Sequence, residues 1–211
     1  MCNKYKGIAR AIVGITAISL TAYLLKRVAN KSRVLLKWEF IESELMTASI
    51  NAAFQRADVY ADPKATTDPR RQTLRDKLAS LLRNLGSQYS STLSGPQHKI
   101  NIAKIADDLT EAFKDTDLLR GKRFRIGTAQ KALNLYLKYL WCLGKIPTPP
   151  HCPFDDRIIR KLPLSDQEKK DLQWTALDSL DGYQKLVDAG LAKIKETSHA
   201  SLSEWELEAW K

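Results

Sequence analysis

Residues 127–143 read GTAQKALNLYLKYLWCL, and this stretch decides the fold class. Ala129, Ala132, Leu133, Leu135, Tyr136, Leu137, Tyr139, Leu140, Trp141 and Leu143 make it apolar nearly all round, which predicts a helix at the centre of a domain and not on its surface. Thr128, Gln130, Lys131, Asn134 and Lys138 are its polar exceptions. The last three recur at i, i+3 and i+7, so one polar stripe carrying two lysines is expected to cross a core helix.

Working outward, apolar residues recur at helical spacing almost everywhere, with no sustained alternation of the kind a half-buried strand shows. The chain therefore reads as all-α and as one domain over residues 1–211. A first helix is expected over Ile8–Asn30. A second should open near Ser32 and last to about Asp58, with Val34, Leu35, Trp38, Ile41, Leu45 and Ala48 as its core stripe. Asp62-Pro63 and Asp68-Pro69 bracket a loop before a helix carrying Leu74, Leu78, Leu81, Leu82 and Leu85 and ended by Gly86. Another amphipathic helix spans Ile100–Phe113. Beyond the central helix, a Pro-rich loop over residues 145–153 leads to a short helix with Ile158 and Ile159. Ser165 with Glu168 and Ser201 with Glu204 are capping-box pairs that open further helices, and Trp205 and Trp210 are assigned to carboxy-terminal packing.

Charge points to a polyanionic partner. The net charge is +10, and from Leu118 to Phe154 there is no acid while Arg120, Lys122, Arg123, Arg125, Lys131, Lys138 and Lys145 contribute seven positive charges. Three cysteines, Cys2, Cys142 and Cys152, form no disulfide framework, which fits a reducing compartment and a cytoplasmic protein. Cys142, His151 and Cys152 lack the spacing and the fourth partner of a zinc site, so no metal is expected. His98 and His199 sit among polar neighbours and carry no argument. The apolar run Ala11–Leu25 is 15 residues long and interrupted by Thr16, Ser19, Thr21 and Tyr23; it is expected as a buried helix and not a membrane anchor.

A lysine among apolar groups loses solvation of its charged form, so part of it becomes the free amine, a nucleophile at neutral pH. Lys131 and Lys138 are the candidates, and a carboxylate delivered by the Pro-rich loop could either pair with the lysine or stabilise positive charge developing on a sugar. The helix start at Gly127 and Thr128, flanked by Lys122, Arg123 and Arg125, is expected to offer free N–H groups to phosphate.

Gly127-Thr-Ala-Gln-Lys131, an apolar helix with a second lysine, and Pro153-Phe-Asp155-Asp-Arg157-Ile together resemble the helix-hairpin-helix DNA glycosylases, and most closely their archaeal 8-oxoguanine branch. The resemblance covers Phe124 to Ile159. It implies a helical glycosylase-like bundle in which Lys131 attacks the sugar C1′ and Asp155 supports the oxocarbenium-like transition state. Phe124-Arg-Ile-Gly-Thr stands where the family has its Gly-hydrophobic-Gly hairpin, so the hairpin is degenerate. The chain also looks similar to a bacterial anti-phage glycosylase that removes glucosylated hydroxymethylcytosine. Base flipping would then need a pocket, to which Gln130, Asn134, Lys138, Trp174 and Asp178 are assigned, with Trp38 and Tyr136 as further contributors.

The expected function is thus excision of a modified base from double-stranded DNA by a cofactor-free monomer. Repair of oxidised purines, a non-catalytic nucleic-acid-binding module and a membrane-tethered helical interaction protein are the alternatives.

Overall fold

The computed structural model describes the backbone of residues 3–211 and the side chains of residues 26–28 and 30–211. It is all-helical, and the described residues hold no strand, only an isolated bridge between Tyr60 and Leu119. Eight α-helices follow one another among them: α1 (Asn3–Phe54), α2 (Pro69–Gly86), α3 (Gly95–Ala112), α4 (Ile126–Cys142), α5 (Asp156–Lys161), α6 (Asp166–Asp171), α7 (Leu180–Lys195) and α8 (Leu202–Ala209). The contacts group into two units, residues 1–44 and 45–211, where the sequence reading has a single domain.

The first unit is the amino-terminal part of α1. The two helices expected on either side of Asn30 are one, because the intervening Asn-Lys-Ser holds no breaker and Ser32 does not cap: its hydroxyl donates back to the Val28 carbonyl (3.1 Å), a bond compatible with an unbroken helix. The expected core stripe also fails in this unit, where Val34, Leu35 and Ile41 are exposed. The expectation that Ala11–Leu25 is buried lies outside the described side chains. Among the described residues no helix is long and apolar enough to cross a membrane.

The second unit begins at Leu45, and here α1 turns Met46, Ser49, Ile50 and Ala53 inward. Asp68 caps α2 by accepting the Arg70 N–H, with Pro69 in the first turn where its missing N–H costs nothing. Leu74, Leu78, Leu82 and Leu85 are all buried, each worth about 2 kcal/mol, several times a surface ion pair. Helix α4 packs against α2, α3 and α7. Ala129, Ala132, Leu133, Tyr136, Leu137 and Leu140 are buried, as a central helix requires. Tyr136 belongs to this core: its ring lies where a Cβ on Gly86 would come within 2.9 Å. Ser165 forms the expected capping box with Glu168, whereas Ser201 accepts the Glu204 N–H but the Glu204 carboxylate takes the Ala200 N–H (2.9 Å), so the second box is half formed.

Candidate functional site

A hollow of about 400 Å³ opens in the second unit beside α4. Lys131, Leu135, Lys138, Tyr139 and Cys142 line it from α4 at i, i+4, i+7, i+8 and i+11, one helical face. Ala52 and Gln55, Pro153 and Asp155 from the Pro-rich loop, and Glu206, Leu207 and Trp210 close the rest.

Lys131 is half-buried with its ammonium 3.8 Å from the centre of the Trp174 ring, a cation–π contact. Burial pushes its pKa below the usual lysine value, Asp155 and then Asp156 pull it back up, and Arg56 adds a smaller push down. Trp174 is itself buried, its backbone so close to α4 that a Cβ on Gly127 would fall 1.8 Å from the Trp174 carbonyl oxygen. Only glycine fits there.

Asp155 is the N-cap of α5, and its Oδ1 accepts from the Arg157 N–H (3.0 Å) and the Ile158 N–H (3.1 Å). What sets it opposite Lys131 is a latch between their sequence neighbours. The Gln130 side chain donates to the Phe154 carbonyl (2.9 Å) and accepts from the Phe154 N–H (3.2 Å), and both residues are fully buried. Ser203 ties the same loop to α8 by donating to the carbonyls of Pro149 (3.0 Å) and His151 (3.2 Å).

At the other end of the cavity Lys138 is paired with Glu206, its ammonium 2.9 Å from Oε1 and 2.7 Å from Oε2, with hydrogen-bond direction favouring Oε1. Burial raises the Glu206 pKa and Lys138 lowers it again. Sequence reasoning missed Glu206, although its place on one helical face with Leu202 and Trp210, four residues either side, marks an acid among apolar neighbours. Trp210 corrects the packing assignment: Trp205 is buried, but Trp210 is half exposed at the cavity, with Arg157 over its ring at 5.3 Å.

Several expected site residues go elsewhere. Gln130 and Asn134 are buried off the cavity; Asn134 donates to the Tyr183 hydroxyl (3.2 Å) because it sits on the flank of α4 that faces α7, which takes it out of the stripe with Lys131 and Lys138. Asp178 does not line the cavity. It accepts from the Ile126 N–H (3.1 Å) and lies 3.2 Å from the Arg123 guanidinium, whose other arm meets Asp107 at 2.7 Å. Arg125 donates to the carbonyls of Ala57 (2.6 Å) and Asp58 (3.1 Å). The helix start has no free donors for phosphate, since the Gly127 N–H goes to the Leu177 carbonyl (2.8 Å) and the Thr128 N–H to the Arg125 carbonyl (3.1 Å). Lys122 is exposed in a left-handed turn after Gly121. Trp38 belongs to the first unit.

The histidines form a second buried group. His98 is not in polar, open surroundings but fully buried, with the Tyr89 hydroxyl at 2.6 Å and the His151 ring at 4.8 Å. His151 meets the Tyr183 hydroxyl at 3.0 Å. Burial, with His151 adding a smaller push, drops the His98 pKa to about 3, Asn134 acting weakly the other way; burial drops that of His151 to about 4. Cys152 is buried and Cys142 exposed, and no three His, Cys, Asp or Glu side chains among the described residues are grouped to hold a metal ion.

No protein-family model matches this sequence, and neither a curated protein nor a solved structure similar to it was found.

Proposed function

We propose that this protein is a DNA N-glycosylase that draws a modified base out of the duplex and cleaves its bond to the sugar. The observation that carries the reading is Lys131 on the wall of a base-sized cavity, beside a carboxylate held by a buried latch. In this reading the free amine of Lys131 attacks C1′, the C1′–N bond breaks with its electron pair leaving on the base, and the Asp155 carboxylate stabilises the positive charge that develops on the sugar. Burial favours that amine by lowering the lysine pKa. The imine formed after ring opening is hydrolysed by water to leave an abasic site. The fold is then a variant of the helix-hairpin-helix glycosylase bundle with a degenerate hairpin at Phe124–Thr128. Defence against DNA carrying glucosylated hydroxymethylcytosine is the favoured role.

The test is incubation with duplexes bearing glucosylated hydroxymethylcytosine, hydroxymethylcytosine or 8-oxoguanine, followed by alkali. Strand scission at one of the modified positions, with a borohydride-trapped protein–DNA adduct, is the expected result. Intact strands across the panel, or scission undiminished in both Lys131→Gln and Asp155→Asn, would overturn it.

A further inference from the structure

Arg123 and Arg125, the two arginines before α4, are engaged by Asp107, Asp178 and the Ala57 and Asp58 carbonyls. A second basic cluster lies elsewhere. Helices α5 and α6 border a concave groove of about 180 Å³, lined by Asp156, Ile159, Arg160, Lys169, Lys170 and Gln173. Arg160 and Lys170 are exposed and Lys169 half-buried, and none of the three side chains has a hydrogen bond or ion pair with another described residue. The carboxylate that lines the groove, Asp156, lies 3.7 Å from the Arg56 guanidinium, so the three cations dominate the local field. None of the three acids of α6 lines the groove; Glu168 accepts from the Ser165 N–H and hydroxyl, and Asp171 from the Gln167 side chain at 2.8 Å.

The groove adjoins the cavity. Asp155 lines one and Asp156 the other, and consecutive Cα atoms stand only about 3.8 Å apart. A nucleotide with its sugar at Asp155 would therefore carry its neighbouring phosphates over Arg160, Lys169 and Lys170. We infer that this groove is the seat for the DNA backbone next to the flipped nucleotide, an inference that rests on the glycosylase reading for its ligand. These are positioning contacts, without sequence preference.

The test measures binding of the full chain to an unmodified duplex by fluorescence anisotropy across a salt series. Each lost phosphate contact removes about 0.9 from the slope of log K against log salt, so Arg160→Ala/Lys169→Ala/Lys170→Ala should flatten that slope by about 2 to 3 and weaken binding about tenfold or more. Arg160→Lys should keep the wild-type slope. Lys64→Ala/Lys77→Ala/Lys195→Ala, which removes the same net charge from other exposed positions, should also leave it unchanged. An unaltered slope in the groove variant, an equal loss in the control variant, or no duplex binding by the wild type at low salt would overturn the inference. A flattened slope in a protein that releases no base from any duplex would keep the phosphate seat and remove the glycosylase.

Discussion

Lys131 and Lys138 stand seven residues apart on one face of α4 and border the same cavity, yet their immediate surroundings differ. Lys138 has a carboxylate at 2.7 Å, with side-chain exposures of 12% for the lysine and 2% for Glu206. Lys131 has no ion-pair partner among the described residues; it rests on the Trp174 ring, with Asp155 and Asp156 acting from farther off. A close buried carboxylate engages one ammonium directly, whereas the other lies on an aromatic face with its carboxylates farther off. Two lysines alike in sequence thus divide into one held by a buried carboxylate and one resting on an aromatic ring.

The sharpest way to break that comparison is to remove each amine in turn. Lys131→Gln should eliminate the borohydride-trapped adduct and slow base release on the order of 10³-fold or more, while Lys138→Gln keeps an adduct. Equal loss in both variants would mean that the two lysines are not chemically distinct. Asp155→Asn should cost about 10² to 10³ in rate and keep its fold, because asparagine caps a helix as well as aspartate does.

Stability should reverse the order of the two lysines. Lys138→Met leaves Glu206 buried without a cation and is expected to cost about 3–5 kcal/mol, and Lys138→Met/Glu206→Leu should restore most of it. Denaturant midpoints check both. A double variant no more stable than the single one would show that the carboxylate is not the burden.

A smaller change should separate position from chemistry. Gln130→Leu strips two partners from the Phe154 backbone and is expected to lose about 1–3 kcal/mol, with base release falling further than this stability loss explains, because Asp155 is no longer held beside Lys131. Wild-type rates in a folded Gln130→Leu protein would show that the latch does not position the carboxylate.

The histidine group sets the pH response. His98 at about 3 and His151 at about 4 lie below the ordinary 6.5, so the unfolded chain binds protons that the native state refuses. Their contribution is fully present above about pH 6.5 and is lost as pH falls through the window toward 4 and then 3. The thermal midpoint should therefore drop between about pH 7.5 and about pH 5; an unchanged midpoint would mean that these two rings are not held neutral.

Much of this was legible in the residues. The all-helical class, a central α4 within one residue of its observed ends and the serine caps at Ser165 and Ser201 rest on periodicity and local hydrogen bonding, whereas Lys131 and Asp155 are singled out together by the family resemblance, and the structure places both on the lining of one cavity. Helix α7 went unread although Ser179 caps it, and the exposed apolar residues near Val34 show that periodicity alone does not bury a face.

Sequence by itself therefore determined most of the helices, the acid-free basic window and the residue types available for amine and carboxylate chemistry, because these depend on neighbours within a few positions. Only the tertiary structure decided which charges were already spent. Arg123 meets Asp107 and Asp178, Lys138 meets Glu206, and Gln130 meets Phe154 across separations of 16, 55, 68 and 24 residues. A charge or an amide takes whichever partner packing brings within about 3 Å, and no local pattern specifies that encounter.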